Sequence, residues 1–314
     1  MFEEAKLVSF YTETPVHAGS GTSLGVVDLP IQRESHTDLP MIQASGIKGA
    51  FRELAEGLKK KLNGFTVEEI FGPKDGNEHA GALAFTDARL LLFPIRSLKG
   101  IFVWATCPFL LERLARDAER CGNSFFEQEV KISEIKDNEV GVDNKCIAGI
   151  QNKFVVLEDF SFEVKSDNFA QQIGKSIFKN AFPLTQEYQS WEDKFLERFV
   201  ILSDTAFSEF TRLSTQVVAR IRMNDKGTVE RGGLWYEEAL PPETLLYSIA
   251  LAAKTKNGSG KPAKEVLKVL ENTILKDSSR IQFGGDATVG RGYVNVRVAQ
   301  NDAPSNGGEK NDGA

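Results

Sequence analysis

The chain has 314 residues, of which 41% are hydrophobic and 26% are charged. This length and composition predict a globular protein with a real core, arranged as one large domain or two modest ones. The three cysteines form no C-x-x-C pair and only three histidines are present, which argues against a disulfide framework or a Cys/His zinc site. The formal net charge of −6 at pH 7 excludes attraction of the whole surface to nucleic acid, so any RNA contact must lie in a local basic groove.

Hydrophobic periodicity divides the chain into strands and helices. The elements predicted for the first 122 residues are, in chain order, a strand at Lys6–Thr12, a helix from about Ile47 to Leu62 capped by Ser45, strands at Leu83–Phe93 and Gly100–Thr106 joined by the turn-like segment PIRSLK, and a helix that begins at Pro108 and ends before Gly122. Together with a final strand at Tyr293–Val298, this order predicts an α+β protein with a βαββαβ unit of the ferredoxin-like or RNA-recognition-motif type.

Residues from about 123 to 280 are then expected to form a long insertion or a second, related subdomain. The βαββαβ unit is expected to consist of residues of about 1–122 and 281–300, and together with the insertion it predicts one composite domain at residues 1–300. The elements predicted within the insertion are a strand at Lys153–Lys165, a helix at Asn168–Asn180 and a long hairpin at Gln216–Tyr236 that turns at NDKG. Residues 301–314, rich in Asn, Gly and Asp, predict a disordered tail. The absence of an apolar run of 18 or more residues and of a signal-peptide pattern predicts a cytoplasmic location and no membrane partner.

A glycine-rich loop, TPVHAGSGTSLGVVDLP at residues 14–30, follows the first strand. Its glycines weaken regular structure and leave the backbone free for close approach to a ligand. His17 and Asp28 lie near its two ends, where the ordinary roles are a structural histidine and a turn-forming aspartate. Beside a phosphate, Asp28 can ligate Mg²⁺ or help to deprotonate a 2′-hydroxyl, and His17 can protonate the leaving 5′-oxygen.

The helix start ASGIKGAFR is a second candidate site, because the first-turn N–H groups and the helix dipole favour an anion beside Lys48. Gly46 and Gly49 allow a backbone to come close, and Lys48 and Arg52 share one helix face. The alternative is an ordinary capped helix whose Lys48 and Arg52 side chains face solvent.

The long hairpin and the C-terminal glycine-rich segment carry further candidate contacts. In the hairpin, apolar residues lie on one face and Arg220 and Arg222 on the other, so the strand is expected to be half-buried and to present two guanidinium groups. Such a hairpin can lie across a phosphate backbone. The alternative is a solvated surface hairpin. Trp235 and Tyr236 can stack on bases or belong to the core. The segment FGGDATVGRGYV matches neither a P-loop nor a dinucleotide fingerprint. Its exposed N–H groups can hold sugar-phosphate oxygens, or it can be a tight connection between strands; the residues concerned are Gly284, Gly285, Gly290, Arg291 and Gly292.

Three segments together resemble the repeat-associated mysterious protein (RAMP) superfamily of CRISPR systems: HAGSG at 17–21, LPMIQASGIKGAFRE at 39–53 and GGDATVGRG at 284–292. The middle segment is similar to the opening-helix signature of that superfamily, read here as P-x-x-x-x-S-x-x-K-G-x-x-R with Pro40, Ser45, Lys48, Gly49 and Arg52. Within the superfamily, GTSLGVVDLPIQRE and GTVERGGLWYEEALPPETLLY resemble the backbone subunit of the Cmr (type III-B) RNA-targeting complex. The resemblance extends from Lys6 to about Val298.

The resemblance implies a ferredoxin-like palm with inserted fingers and a β-hairpin thumb, and copies that stack along a CRISPR guide RNA with other Cmr subunits. It implies an endoribonuclease that uses Mg²⁺ or another divalent metal to cut single-stranded target RNA complementary to the guide at regular intervals, leaving 2′,3′-cyclic phosphate and 5′-hydroxyl ends. For individual residues, the resemblance implies metal-assisted cleavage by Asp28 with help from His17. It implies a contribution from the thumb by Tyr236 with Glu237 or Glu238, and thumb contacts by Arg220 and Arg222. The residues implied to contact the guide backbone are Ser45, Lys48, Arg52 and the loop containing Gly284, Gly285, Gly290 and Arg291.

Two alternatives remain open at the level of sequence. The chain can be a non-catalytic RNA-binding scaffold of the same type of complex. It can also be a single-subunit nuclease that matures the guide, which predicts metal-independent cutting of repeat RNA by a histidine-centred acid/base site.

Overall fold

The computed structural model describes residues 2–58, 62–75, 78–126, 134–166, 168–276 and 279–299. Within these ranges the chain is a mixed α+β protein with one sheet of thirteen strands and a separate two-stranded hairpin. No helix in the same ranges has the length and apolar character needed to cross a bilayer. The predicted tail at 301–314 and residues 59–61 of the predicted first helix lie outside the described residues.

The strands, in chain order, are β1 Glu4–Thr12, β2 Met41–Ile42, β3 Leu83–Phe85, β4 Ala88–Arg96, β5 Phe102–Thr106, β6 Glu139–Val142, β7 Gly149–Ile150, β8 Phe154–Leu157, β9 Phe160–Ser166, β10 Phe199–Leu202, β11 Gln216–Met223, β12 Val229–Ala239, β13 Leu245–Ala252, β14 Arg280–Gln282 and β15 Tyr293–Val298. The helices are α1 Ala44–Leu58, α2 Val67–Phe71, α3 Pro108–Arg120, α4 Asn168–Ala181, α5 Glu192–Leu196, α6 Asp204–Leu213 and α7 Ala263–Val269, with 3-10 turns at Gln186–Trp191 and Ala287–Val289 and a π-helical turn at Leu270–Ile274. The large sheet has the order β14-β15-β1-β13-β4-β5-β10-β6-β9-β8-β7, with β2 beside β4 and β3 beside β13.

Several predicted elements are confirmed with bounds close to those expected. They are the first and last strands (β1 and β15), the helices that begin at Pro108 and Asn168 (α3 and α4), and the long hairpin, which forms β11 and β12 with a turn at residues 224–228. Pro108 at the start of α3 and the apolar residues at helical spacing behind it explain why that helix is readable from sequence.

Two predicted strands are wrong in extent. The strand expected at Leu83–Phe93 is divided into β3 and β4, and β4 continues through Pro94 into the segment expected to be a turn. The backbone N–H of Trp104, the partner of Pro94, points away from Pro94 and donates to the carbonyl oxygen of Arg198 at 3.0 Å. Pro94 is tolerated because the ladder needs no N–H from it at this pair. The strand expected at Lys153–Lys165 is a hairpin, β8 and β9, because the chain reverses at residues 158–159.

The strand β13 is an interior strand of the large sheet, between β1 and β4, although the sequence analysis did not assign it. It pairs antiparallel with β1 on one side and with β4 on the other. Seven of its eight residues are buried, and such a short apolar run without alternation does not distinguish a strand from a helix. The predicted division into a unit of about 1–122 and 281–300 and an insertion of about 123–280 stays a prediction, but a central strand comes from within that insertion.

Alternate side chains of β1 point into two hydrophobic clusters on opposite faces of the sheet. Val8 and Phe10 pack in one cluster with residues of α1 and α7. Leu7 and Tyr11 pack in the other with residues of α3 and α4. The sheet therefore has helices on both faces, and β1, fixed between them, leads directly into the loop that carries His17 and Asp28.

Helix α1 begins three residues earlier than predicted, and Ser45 lies inside it with an exposed side chain, so the prediction that Ser45 caps the helix is wrong. The backbone N–H of Ala44 instead donates to the carboxylate of Asp87 at 2.8 Å. A negative charge is favourable at a helix N-terminus. Because Asp87 lies in the gap between β3 and β4, the cap comes from a distant part of the chain that no local pattern reveals.

Asp87→Ala is expected to lower the free energy of unfolding by about 1 kcal/mol, because α1 loses its cap. Ser45→Ala is the matched control and is expected to change it by less than about 0.5 kcal/mol. Urea unfolding followed by circular dichroism measures both. Equal losses in the two variants would contradict the assignment of the cap to Asp87.

Candidate functional site

The loop between β1 and α1 pairs with one edge of β12. In the first stem of the loop, Val16 and Leu240 exchange backbone hydrogen bonds of 3.0 and 2.9 Å. In the second stem, Leu29 donates to the carbonyl of Tyr236 at 3.1 Å and accepts from the N–H of Glu238 at 3.0 Å. The stems are thus fixed by the strand, whereas residues 19–26 between them are exposed.

Asp28 lies where the exposed part of the loop returns to the protein. Its Oδ2 accepts a hydrogen bond of 2.7 Å from the backbone N–H of Tyr236. The residue is nevertheless exposed to solvent. The strand therefore fixes the direction of the carboxylate and leaves it accessible to a ligand.

The ring of His17 is held by the same strand. Its Nδ1 lies 2.6 Å from the carbonyl oxygen of Glu238. A carbonyl only accepts, so Nδ1 carries a proton and Nε2 is the reactive nitrogen of the neutral ring. Nε2 faces Gly19, where an added Cβ would lie 2.8 Å from it. Gly19 therefore leaves room around Nε2, a role that the sequence analysis did not assign.

His17 and Asp28 are anchored two residues apart on β12, at Glu238 and Tyr236. Two residues span about 7 Å of an extended strand. Glu237 between them pairs with Val218 of β11, so the other edge of the strand is occupied by the hairpin. The structure thus brings the two predicted catalytic side chains to one strand edge.

The strand residues in the predicted catalytic set differ in exposure. Tyr236 is exposed, whereas Glu237 and Glu238 are only 4% and 6% exposed. The carboxylate of Glu238 accepts from Arg33 and from the hydroxyl of Thr215, both at 2.7 Å. It joins the loop to the base of the hairpin, and a catalytic role for either glutamate stays a prediction. Arg33 was missed by the sequence analysis because its partner lies 205 positions away.

Two arginines and two carboxylates form a cluster at the base of the hairpin, termed here the ion quartet: Arg220, Glu237, Asp286 and Arg291. Arg291 donates to Glu237 and lies 3.7 Å from Asp286. Arg220 lies 2.8 Å from Asp286 and 3.4 Å from Glu237. The four formal charges cancel, and the quartet joins β11 and β12 to the C-terminal glycine-rich loop.

That glycine-rich loop, residues 283–292, packs against the backbone of the first loop. The N–H of Gly285 donates to the carbonyl of His17 at 2.9 Å, and the N–H of Gly292 donates to the carbonyl of Pro15 at 2.8 Å. Gly284 has φ of +77°, and a Cβ there would lie 2.3 Å from the carbonyl oxygen of His17. These contacts are made within the chain, and the expected sugar-phosphate contacts of this loop stay a prediction.

The orientation predicted for the hairpin is wrong. Its apolar face, including Val217, Ile221 and Met223, is exposed, whereas Arg220 on the other face is half-buried. Strand alternation identifies two faces but not which one turns to the protein. Here the ion quartet holds the face with Arg220 inward, and Arg222 near the hairpin tip remains exposed.

The first turns of α1 present an open surface. Ser45 is exposed, and a Cβ at Gly49 would meet nothing within 4 Å. Burial, and then the neighbouring Arg52, lower the pKa of Lys48. Arg52 bonds Glu56 through Nε at 3.1 Å, but its Nη2 is buried and has no hydrogen-bond partner among the described residues. The helix face therefore carries two crowded cations that an anion would stabilise.

Within the described part of the chain, no group of three or more His, Cys, Asp or Glu side chains is arranged to hold a metal ion. Mg²⁺ is often bound by one or two carboxylates together with substrate phosphates and water. The exposed carboxylate of Asp28 fits a metal whose remaining ligands come from RNA and solvent.

Gly284→Ala is expected to lower the free energy of unfolding by more than about 1 kcal/mol, because the methyl group collides with the carbonyl of His17 and φ is positive. Gly290→Ala is the matched control, since φ there is +81° but no atom lies within 4 Å. It shares the backbone strain without the collision, so a smaller loss is expected. Urea unfolding of the two variants decides, and equal losses would contradict the close approach of the two loops.

Comparison with known proteins identifies the relatives of this chain. A curated protein of Pyrococcus furiosus, the CRISPR system Cmr endoribonuclease Cmr4, is 38% identical over 97% of this chain and 98% of its own length. The CRISPR system CMR subunit Cmr4 of Saccharolobus solfataricus is 28% identical over 90% of this chain and 93% of its own length.

Solved structures agree with the sequence relatives. The crystal structure of oligomeric Cmr4 from Pyrococcus furiosus superposes with a TM-score of 0.70 at 30% identity, covering 94% of this chain and 98% of that one. A chain of the type III-B Cmr-beta complex in its apo state superposes with a TM-score of 0.69 at 27% identity, covering 94% and 97%. Residues 9–295 match the family model of the RAMP superfamily. The chain therefore belongs to the RAMP superfamily.

Proposed function

We propose that the chain is a guide-RNA-binding backbone subunit of a type III-B CRISPR effector complex and an endoribonuclease that cuts complementary target RNA at regular intervals. The observation that carries the proposal is the placement of His17 and Asp28 on one edge of β12, where backbone groups of the strand hold both side chains and the Asp28 residue is exposed. The name of the Pyrococcus furiosus relative, a Cmr endoribonuclease, supports the same activity here.

The palm of this subunit is assigned to β1, α1, β4, β13, α7 and β15. In chain order they form a βαββαβ unit, the strands are neighbours in the antiparallel order β15-β1-β13-β4, and both helices pack in the same cluster. This supports a ferredoxin-like palm with the fingers and thumb inserted between β4 and β13. The β5 strand and α3, which the sequence analysis placed in the palm, then belong to the insertion, and the β11–β12 hairpin is the thumb.

The proposed chemistry is attack of a target 2′-hydroxyl on the adjacent phosphate. Asp28 assists removal of the 2′-hydroxyl proton, and His17 in its imidazolium form, protonated at both ring nitrogens, delivers the proton on Nε2 to the leaving 5′-oxygen. The bond from phosphorus to the 2′-oxygen forms as the bond to the 5′-oxygen breaks, which leaves a 2′,3′-cyclic phosphate and a 5′-hydroxyl. Regular A-form duplex does not place these atoms in line, so the nucleotide must be distorted. The proposed contact of Tyr236 with such a nucleotide is supported by its exposed side chain and by the bond of its N–H to Asp28.

Asp28 is also the residue proposed to hold Mg²⁺ or another divalent ion, together with phosphate oxygens of the RNA. A divalent ion there supplies stabilisation of the negative charge that develops on the phosphate. The guide backbone is proposed to follow the open face of α1, at Ser45, Lys48 and Arg52, and other copies of the chain to continue the path. The crystal structure of oligomeric Cmr4 from Pyrococcus furiosus supports such an array.

Asp28→Asn is expected to reduce cleavage of a labelled complementary RNA by at least about 100-fold in the reconstituted complex, because the proton acceptor and metal ligand is lost. Guide and target binding, measured separately, are expected to persist, and EDTA is expected to stop cleavage by the wild type. Asp159→Asn, at the exposed turn between β8 and β9, is the matched control. Unchanged cleavage by Asp28→Asn would favour the non-catalytic scaffold, and metal-independent cutting of repeat RNA by the isolated chain would favour a guide-maturing nuclease.

Lys48→Gln is expected to weaken guide binding and to reduce its salt slope by about 0.7, the value for one phosphate contact with a single strand. In the free chain the pKa of Lys48 is lowered, so the side chain loses its proton at a lower pH than an ordinary lysine. A bound phosphate favours the protonated form, so the affinity of the wild type for the guide is expected to fall as rising pH removes that proton. Lys48→Gln should lack this component. Arg96→Met, an exposed cation paired with Glu158 away from α1, is the control. Equal effects of both substitutions would show non-specific attraction instead of a site on α1.

A further inference from the structure

The C-terminal glycine-rich loop, residues 283–292, touches the supports of both proposed catalytic residues. We propose that this loop, with Arg291 near its C-terminal end, is a positioning element that sets His17 and Asp28 for cleavage. The inference rests on the endoribonuclease function proposed above. It is carried by the hydrogen bonds that Gly285 and Gly292 donate to the first loop and by the contact of Arg291 with Glu237.

On the His17 side, the loop fixes the main chain that carries the ring. Gly285 bonds the carbonyl of His17 itself, and Gly292 bonds the carbonyl of Pro15. The approach at Gly284 is too close for any side chain. The ring Nδ1 is bonded to the carbonyl oxygen of Glu238. The glycine-rich loop therefore fixes the main chain of His17, and β12 fixes the orientation of its ring. A shift of the loop would therefore turn Nε2 away from its working direction.

On the Asp28 side, the loop acts through Glu237. Arg291 donates to the carboxylate of Glu237. Glu237 stands between Tyr236, whose N–H holds Asp28, and Glu238, whose carbonyl holds His17. Displacing Glu237 therefore displaces both anchor points at once, which makes Arg291 the residue through which the loop controls the pair.

The burial and charge of the ion quartet argue against a direct RNA contact. Arg291 is 8% exposed, and its Nη1 is directed to Glu237 and Asp286. A phosphate approaching it would meet two carboxylates that already neutralise both arginines. Without Arg291, the buried carboxylate of Glu237 would keep only Arg220, at 3.4 Å, as its cation. A buried charge with too little compensation is unfavourable, and a movement of β12 that exposes Glu237 to water would relieve it.

The test compares Arg291→Met with Arg222→Met in the reconstituted complex, since Arg222 is an exposed arginine of the β11–β12 hairpin, to which the ion quartet joins Arg291. Target affinity, its salt dependence and the cleavage rate at saturating target are measured for each. Arg291→Met is expected to lower the cleavage rate of bound target by about 10- to 100-fold with affinity and salt slope unchanged, the size of effect that small misplacements of reacting groups produce. Arg222→Met is expected to lower affinity and salt slope.

Two further variants complete the test. Arg291→Lys, which keeps the cation, is expected to recover most of the cleavage rate. Arg220→Met leaves the contact between Arg291 and Glu237 in place and is expected to lower the cleavage rate by a smaller factor than Arg291→Met. This variant keeps the test decisive if the complex with Arg291→Met does not assemble. Hydrogen exchange at residues 234–239 is expected to increase in Arg291→Met, reporting the loosened anchor.

Weaker target binding with a reduced salt slope and a full cleavage rate in Arg291→Met would make Arg291 a phosphate contact and overturn the proposal. A full rate with full affinity in that variant would overturn it as well. Asp28→Asn is run in parallel, because its full activity would refute the proposed nuclease function itself, independently of what Arg291 does.

Discussion

Pairing of the first loop with the edge of β12 is the interaction on which the candidate site depends. Backbone groups at a strand edge need partners, and here the loop supplies them through its main chain and through the side chains of His17 and Asp28. The same strand forms the β11–β12 hairpin, so the direction of the hairpin and the positions of the two side chains are set together. If the hairpin is the thumb that distorts the target, distortion and catalysis share one structural element. A loop attached only at its ends would not have this coupling.

An acidic chain that coats RNA must place its cations selectively. Several of its arginines are used internally: Arg113 pairs with Glu34 at 2.8 Å in a buried site, Arg33 holds Glu238, and Arg291 holds Glu237. Buried pairs of this kind fix geometry more than they add stability. The cations proposed to contact RNA lie on α1 and at the hairpin tip, and a local path of this kind is consistent with a net charge of −6 for the whole chain. Counting basic residues would not have located that path.

The sequence supported those parts of the fold whose signals are local. The helix α3 begins at a proline and the strand β15 follows a glycine-rich loop, so both have readable boundaries. The strand β13 is buried on both faces and gives no alternation, and the cap of α1 comes from Asp87, distant in sequence. In the site, His17 and Asp28 were identifiable as unusual loop residues, but their common anchor on β12 was not. The inward face of the hairpin was also unpredictable, because the ion quartet that decides it joins residues from separate segments.

We propose that this chain cuts RNA through the target's own 2′-hydroxyl at the site formed by His17 and Asp28. The most direct measurement is cleavage, by the wild-type complex, of a target RNA with one 2′-deoxynucleotide at a single expected cut position. We expect cutting to stop at that position and to continue at the other positions of the same molecule, with target binding unchanged. Cutting that continues at the 2′-deoxynucleotide would show that water, and not the 2′-hydroxyl, is the nucleophile, and would refute the proposed reaction.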